Sequence, residues 1–172
     1  MTGGAAFVDE SCRGTSYLLC AVLVPAARLH PVRRAMRGLC LRGQRNMHMR
    51  EESASRKRLI VSTLCDLGVR TRISISQGPQ REARANAMSK LASDVALDQI
   101  NRLVIESRPG RDVEDRNVLF ALTRKQNLGQ LSYEHQRPWE EPLLWIPDAV
   151  AWAYGAGGDW RRRVAPIIDK VL

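Results

Sequence analysis

No stretch of the sequence approaches the roughly 20 consecutive apolar residues that a membrane span needs, so no membrane role is expected. The four cysteines (Cys12, Cys20, Cys40 and Cys65) form no Cys-x-x-Cys pair and have no histidines at matching spacing. That argues against a zinc site and for buried free thiols in a reducing, cytoplasmic setting. There is no internal repeat, no low-complexity segment and no long basic block: "RRAMR", "RKR" and "RRR" are short and separate. A secretory leader lacks one of its parts. Tyr17–Val24 followed by "PAA" imitates an apolar core and a cleavage site, but Asp9 and Glu10 stand where positive charge belongs.

What is present suits one soluble domain over residues 1–172, with 44% apolar residues and length enough for a real core. Lysine and arginine number 27 against 18 acids, a net charge of +9. Such an excess favours polyanionic partners, nucleic acid before anionic membrane. The basic residues are nearly all arginine and are spread along the chain, so charge lends this reading only mild support.

"AAFV" running into "DES" reads as a strand, and "SYLLCAVLVP" as a second, fully apolar strand stopped by Pro25; the short link makes them a hairpin. Two helices follow, one from Ala26 to about Leu39 and one from about Glu51 to Leu67, an insertion covering about 26–68. "VRTRISIS" alternates strictly and reads as a half-exposed strand near an edge. Then come a helix with Ala83, Ala87, Leu91 and Val95 on one face, the strand "RLVIES", a helix after "RPGRD", the strand "QLSYEHQ" and the helix "LLWIPDAVAWAYG". The tail "GGDWRRRVAPIIDKVL" reads as a last helix, broken or begun at Pro166. This order builds an α/β fold: a mixed sheet of about five strands flanked by helices, with a two-helix insertion between strands 2 and 3. It is the chain order of a ribonuclease H-like fold.

Two of the apolar strands end in acids, at Asp9–Glu10 and at Glu106. If those strands are parallel, the acids share the carboxyl edge, where open α/β sheets carry their sites. Asp148, opening a late helix, can return to the same edge. Acids brought together repel unless a cation lies between them, and magnesium or manganese (Mg2+ or Mn2+) suits hard carboxylate ligands. Each acid also has an ordinary explanation: Asp9 and Glu10 in turn chemistry, Glu106 in a pair with Arg108 or Arg111, Asp148 at the positive end of a helix. Asp112 and Asp115 flank a helix start, where the dipole explains them, although Asp115 follows Glu106 closely enough to be an alternate ligand. His48 sits in the polar connector "NMHMREES", a surface histidine or, folded over the edge, a proton-transfer group. Strand alternation points Glu134 and His135 to opposite faces. Trp145 and Trp152 share a helical face and read as core.

Through "FVDES", "NMHMREES", "LVIESRPGRDVEDR", "LSYEH" and "PLLWIPDAVAWA", in that order, the chain resembles a large bacterial family of unknown function. Members of that family start with Asp-Glu-Ser-Gly and carry an Asp near the start of a late helix. The resemblance spans nearly the whole chain and implies a ribonuclease H-like fold and a nuclease or nucleic-acid-processing role. It places the family's acidic pair on Asp9 and Glu10 and its late acid on Asp148, while Glu106 matches the acid ending the fourth strand of such folds. Cys12 replaces the family's glycine, and Pro147 replaces the small residue before the late Asp. The helix Ala83–Asp98 has no clear counterpart of the first-helix glutamate of ribonuclease H, and only Asp94 and Asp98 are on offer there.

The expected function is thus a divalent-metal-dependent nuclease or related phosphoryl-transfer enzyme acting on DNA or RNA. Asp9, Glu106 and Asp148 would hold the metal, with Glu10 or Asp115 helping. The alternative is a non-catalytic module of the same fold that binds nucleic acid or protein. A nucleotide phosphotransferase is a third class, disfavoured because no glycine-rich loop accompanies "DES".

Overall fold

The computed structural model describes residues 3–14, 16–98, 100–126 and 131–172; Thr15 of the expected hairpin connection and Gln130 at the expected start of the fifth strand lie outside them. Strands β1 (Gly4–Arg13) and β2 (Ser16–Pro25) form the expected antiparallel hairpin, with Asp9 opposite Cys20. Gly14 holds φ 57° at the turn, a left-handed conformation that suits glycine. Tyr17 to Val24 are all buried, because β2 lies inside the sheet with helices over both faces.

Helices α1 (Leu29–Leu39) and α2 (Ala54–Asp66) form the insertion. α2 starts later than the expected Glu51. Ser53 caps it, its Oγ accepting from the Arg56 N–H at 3.4 Å, while Glu51 falls in a separate 3-10 turn, Met49–Glu51. There follow β3 (Arg70–Gln77), α3 (Gln80–Leu97), β4 (Arg102–Glu106), α4 (Asp112–Lys125), β5 (Ser132–Gln136), α5 (Trp145–Ala156), α6 (Gly158–Val164) and β6 (Ile168–Val171). The six strands form one sheet in the order β5-β4-β1-β2-β3-β6. Neighbours β1 and β4, β4 and β5, and β3 and β6 are parallel, and the other pairs are antiparallel.

Two expectations are corrected here. The tail is not one helix: α6 ends at Val164, Pro166 lies in a 3-10 turn, and the chain re-enters the sheet as a sixth strand. Proline cannot donate a helical hydrogen bond, and Ile167, Ile168 and Val171 are β-branched, which favours a pleated surface. β3 does lie near an edge, one strand in, but it is not half-exposed. β6 pairs with its outer side, and Arg72, Ser74 and Ser76 on its polar face are buried under α3. Arg72 is accommodated there by ion pairs with Asp94, Asp98 and Asp169.

Alternation along β1 divides the core into two layers. Ala5 and Phe7 face α1, α2, α5 and α6; Ala6 and Val8 face α3 and α4. Full burial of Phe7 removes apolar surface worth about 3 kcal/mol. Trp145 is core, as expected, its Nε1 donating to the Pro138 carbonyl at 2.7 Å. Trp152 departs from that expectation: it is half-buried and edge-on to Trp160, with ring centroids 5.3 Å apart. No helix among the described residues is long and apolar enough to cross a membrane; all four cysteines are free, but against expectation only Cys20 is buried, Cys12 being exposed beside the hairpin turn.

Candidate active site at the carboxyl edge

The parallel ladder of β1 and β4 pairs Val8 with Ile105. One residue further, Asp9 and Glu106 stand side by side at the end of the ladder. Asp9 continues the Ala5–Phe7 face, and Glu106 shares a face with Val104, so both carboxyls turn toward α5. Asp148 occupies the first turn of α5. Its Oδ2 accepts from the Met49 N–H at 2.7 Å and stands 3.3 Å from His48 Nδ1, so the connector between α1 and α2 folds over the edge. Asp9, Glu106, Asp148 and His48 are therefore neighbours.

Arg108, two residues beyond β4, reaches back into this cluster. Its Nη2 donates to Asp9 Oδ1 at 3.1 Å and stands 3.3 Å from Glu106 Oε1, while its Nε lies 3.4 Å from Glu10 Oε1 without a hydrogen bond. The loop carrying it is fixed by Asp112, which accepts from the Arg108 N–H at 2.8 Å and from Ser107 Oγ at 2.7 Å. Asp112 thus has a structural task.

One guanidinium does not neutralise the cluster. Burial and then the neighbouring Asp148 raise the Asp9 carboxyl above its usual range, against the pull of Arg108. Burial, and next Asp9, push Glu106 up to about 8. His48 is raised as well, chiefly by its hydrogen bond to Asp148. Acids this close and this reluctant to ionise mark a shortage of positive charge.

The other two expected acids lie on the opposite face. Glu10 turns toward α3, where it meets Arg84 and the Tyr17 hydroxyl, and burial pushes it up to about 7. Asp115 is not brought to the three acids. It holds Arg84 in a fork (Nε to Oδ1 at 2.7 Å, Nη2 to Oδ2 at 2.6 Å) and lies 3.2 Å from His135 Nε2. Burial would raise it, but the hydrogen bonds from His135 and Arg84 outweigh that and hold it below the usual range. His135 and Glu134 do face opposite ways: Glu134 pairs with Arg102 on the α5 side.

Among the described residues no three His, Cys, Asp or Glu side chains stand as a ready metal-ligand group. Arg108 occupies the space between the acids, and its side chain, 39% exposed, has solvent to swing into. The donor chemistry nevertheless fits a hard divalent cation: three carboxylates on one face, two of them with raised pKa values.

Sequence reasoning considered Arg108 only as a partner for Glu106, and it passed over Arg84. Arg84 is legible in retrospect, since it stands four residues before Met88 and seven before Leu91, on the buried face of α3.

No protein-family profile matches this chain, and no curated protein does. Among solved structures, the chain is similar to ribonuclease HII in the PCNA:RNase HII complex from Archaeoglobus fulgidus. The TM-score is 0.50 and the identity 14%, over 86% of this chain and 69% of that one. The fold is ribonuclease H-like.

Proposed function

We propose that this protein is a divalent-metal-dependent nuclease, and that it belongs with the bacterial Asp-Glu-Ser-Gly group that its sequence resembles. The observation carrying this reading is the convergence of Asp9, Glu106 and Asp148 on one face of the carboxyl edge, on three separate elements. Asp9, Glu106 and Asp148 would hold magnesium or manganese. Such an ion supplies an activated water and stabilises negative charge on a phosphodiester.

The remaining work falls to side chains already in place. Arg108, displaced from between the acids, would hold a nonbridging oxygen of the reacting phosphate through its guanidinium fork. His48 Nδ1 is turned to Asp148, which leaves Nε2 to carry a proton toward the leaving oxygen. The contact with Asp148 favours the protonated imidazole and raises the pKa of His48.

A second reading has its own observation. Arg108 already sits among the acids, and a guanidinium locked there would make a non-catalytic module that binds nucleic acid. Cleavage of labelled single-stranded and duplex DNA, RNA and their hybrid, with magnesium or manganese, decides between them. Asp9→Asn and Asp148→Asn should each lower cleavage at least a hundredfold while leaving binding intact. Equal cleavage by wild type and both variants would overturn the nuclease assignment, and binding without cleavage on every substrate would favour the module.

A further inference from the structure

We propose that Arg13, seated on Gly155 of α5, grips a backbone phosphate of the nucleic-acid strand that passes the three acids. The inference rests on the nuclease reading and extends it to how substrate is held. An open groove of about 650 Å³ beside Asp148 and His48 is lined also by Glu10, Arg13, Arg50 and Trp152. Alternation along β1 puts Asp9, Ser11 and Arg13 on one face. Arg13 therefore stands about 13 Å along the strand from Asp9, within reach of the same few nucleotides.

Exposed arginines ordinarily sample many rotamers and lose that freedom on binding. Arg13 is instead held in place. Its Nη2 donates to the Trp152 carbonyl at 3.3 Å, and its Nε and Cδ lie over Gly155, where a Cβ would stand 2.6 Å and 3.0 Å from them. Gly155 is not among the glycines with positive φ, so no left-handed turn calls for glycine there; the close approach of Arg13 does. One hydrogen bond to a carbonyl leaves most of the guanidinium's donors for a ligand. Arg50 and Arg108 add further guanidinium groups to the groove, and Lys57 lies 4.6 Å over the ring of Trp152, so cations line the groove beside the acids. That distribution fits a phosphodiester strand whose reacting phosphate lies at the acids and whose neighbour lies at Arg13.

The test is binding of short labelled single strands and an RNA–DNA hybrid, read by fluorescence anisotropy in chelator across a salt series. Arg13→Ala should weaken binding about tenfold at low salt, as loss of a charge-assisted contact does. It should also flatten the salt slope by about 0.7 to 0.9. Gly155→Ala should weaken binding in the same direction with an unchanged or higher thermal midpoint, since the new methyl meets only a flexible side chain and alanine favours helix. The double variant should bind no worse than Arg13→Ala alone. If wild type binds and either single variant binds equally well, the Arg13 seat is wrong and the nuclease reading stands. A further loss from Gly155→Ala in the Arg13→Ala background would also overturn the seat. Failure of wild type to bind any of these probes would take both readings down together.

Discussion

Replacing Glu106 with glutamine removes a charge that the folded protein resists. In the folded state Glu106 keeps its proton up to about 8, against an ordinary 4.5. The folded protein therefore binds more protons than the unfolded chain across that window, and the stability contributed by protonated Glu106 is lost as pH rises through it. At about 1.4 kcal/mol per unit, the displacement sets a ceiling near 5 kcal/mol. The proton is shared with Asp9, and Arg108 recovers part of the cost of ionising Glu106, so about 2 kcal/mol is the expected share. Glutamine resembles the protonated acid. Glu106→Gln should therefore match wild type at pH 5 and exceed it at pH 8, by about 5 °C in thermal midpoint for a domain of this size. Scanning calorimetry in chelator at several pH values measures this. Magnesium added at pH 8 should raise the wild-type midpoint and leave the variant's unmoved, because a cation offsets the same repulsion. A difference between wild type and variant that stays constant from pH 5 to pH 8 would refute the electrostatic argument.

Arg84→Met strips Asp115 and Glu10 of their shared buried partner and should cost about 3 kcal/mol in urea denaturation; a loss below about 1 kcal/mol would mean that the network is not under charge stress. Arg108→Gln removes the guanidinium that competes for the acids, so manganese affinity by titration calorimetry should rise about tenfold; weaker manganese binding would show that Arg108 organises the acids rather than competing there. Phe7→Ala empties the centre of the α5 layer and should cost 3–5 kcal/mol, about 10 °C in midpoint.

The hairpin, the alternation of helix and strand, and the meeting of Asp9 and Glu106 at one edge could be read from apolar runs ending in carboxylates, because strand parity and parallel pairing carry that information locally; Asp148 was legible only as an acid opening a late helix. What escaped was long-range. "VRTRISIS" alternates like a half-exposed strand, but its polar face is covered by α3, and ion pairs with Asp94, Asp98 and Asp169 hold Arg72 there. β6 was hidden by a pattern that is helical up to Val164 and changes only at Pro166. Asp115 looked like a ligand because it is close to Glu106 in sequence, yet α4 carries it to the other side of the sheet, to Arg84 and His135. Arg13 and Gly155 are 142 positions apart, and nothing in either neighbourhood announces the other.

Asp9 and Glu10 are adjacent in the chain yet serve different chemistries, one on each side of the sheet, and only the two-residue pleat separates them. A single-residue deletion in β1 between Glu10 and the turn would exchange their faces, turning Glu10 toward the α5 side and Asp9 toward the α3 side while the hydrophobic faces change sides too. The hairpin register thus acts as a phase setting for the whole edge. Insertions that preserve that phase belong in the turn at Gly14, not within β1.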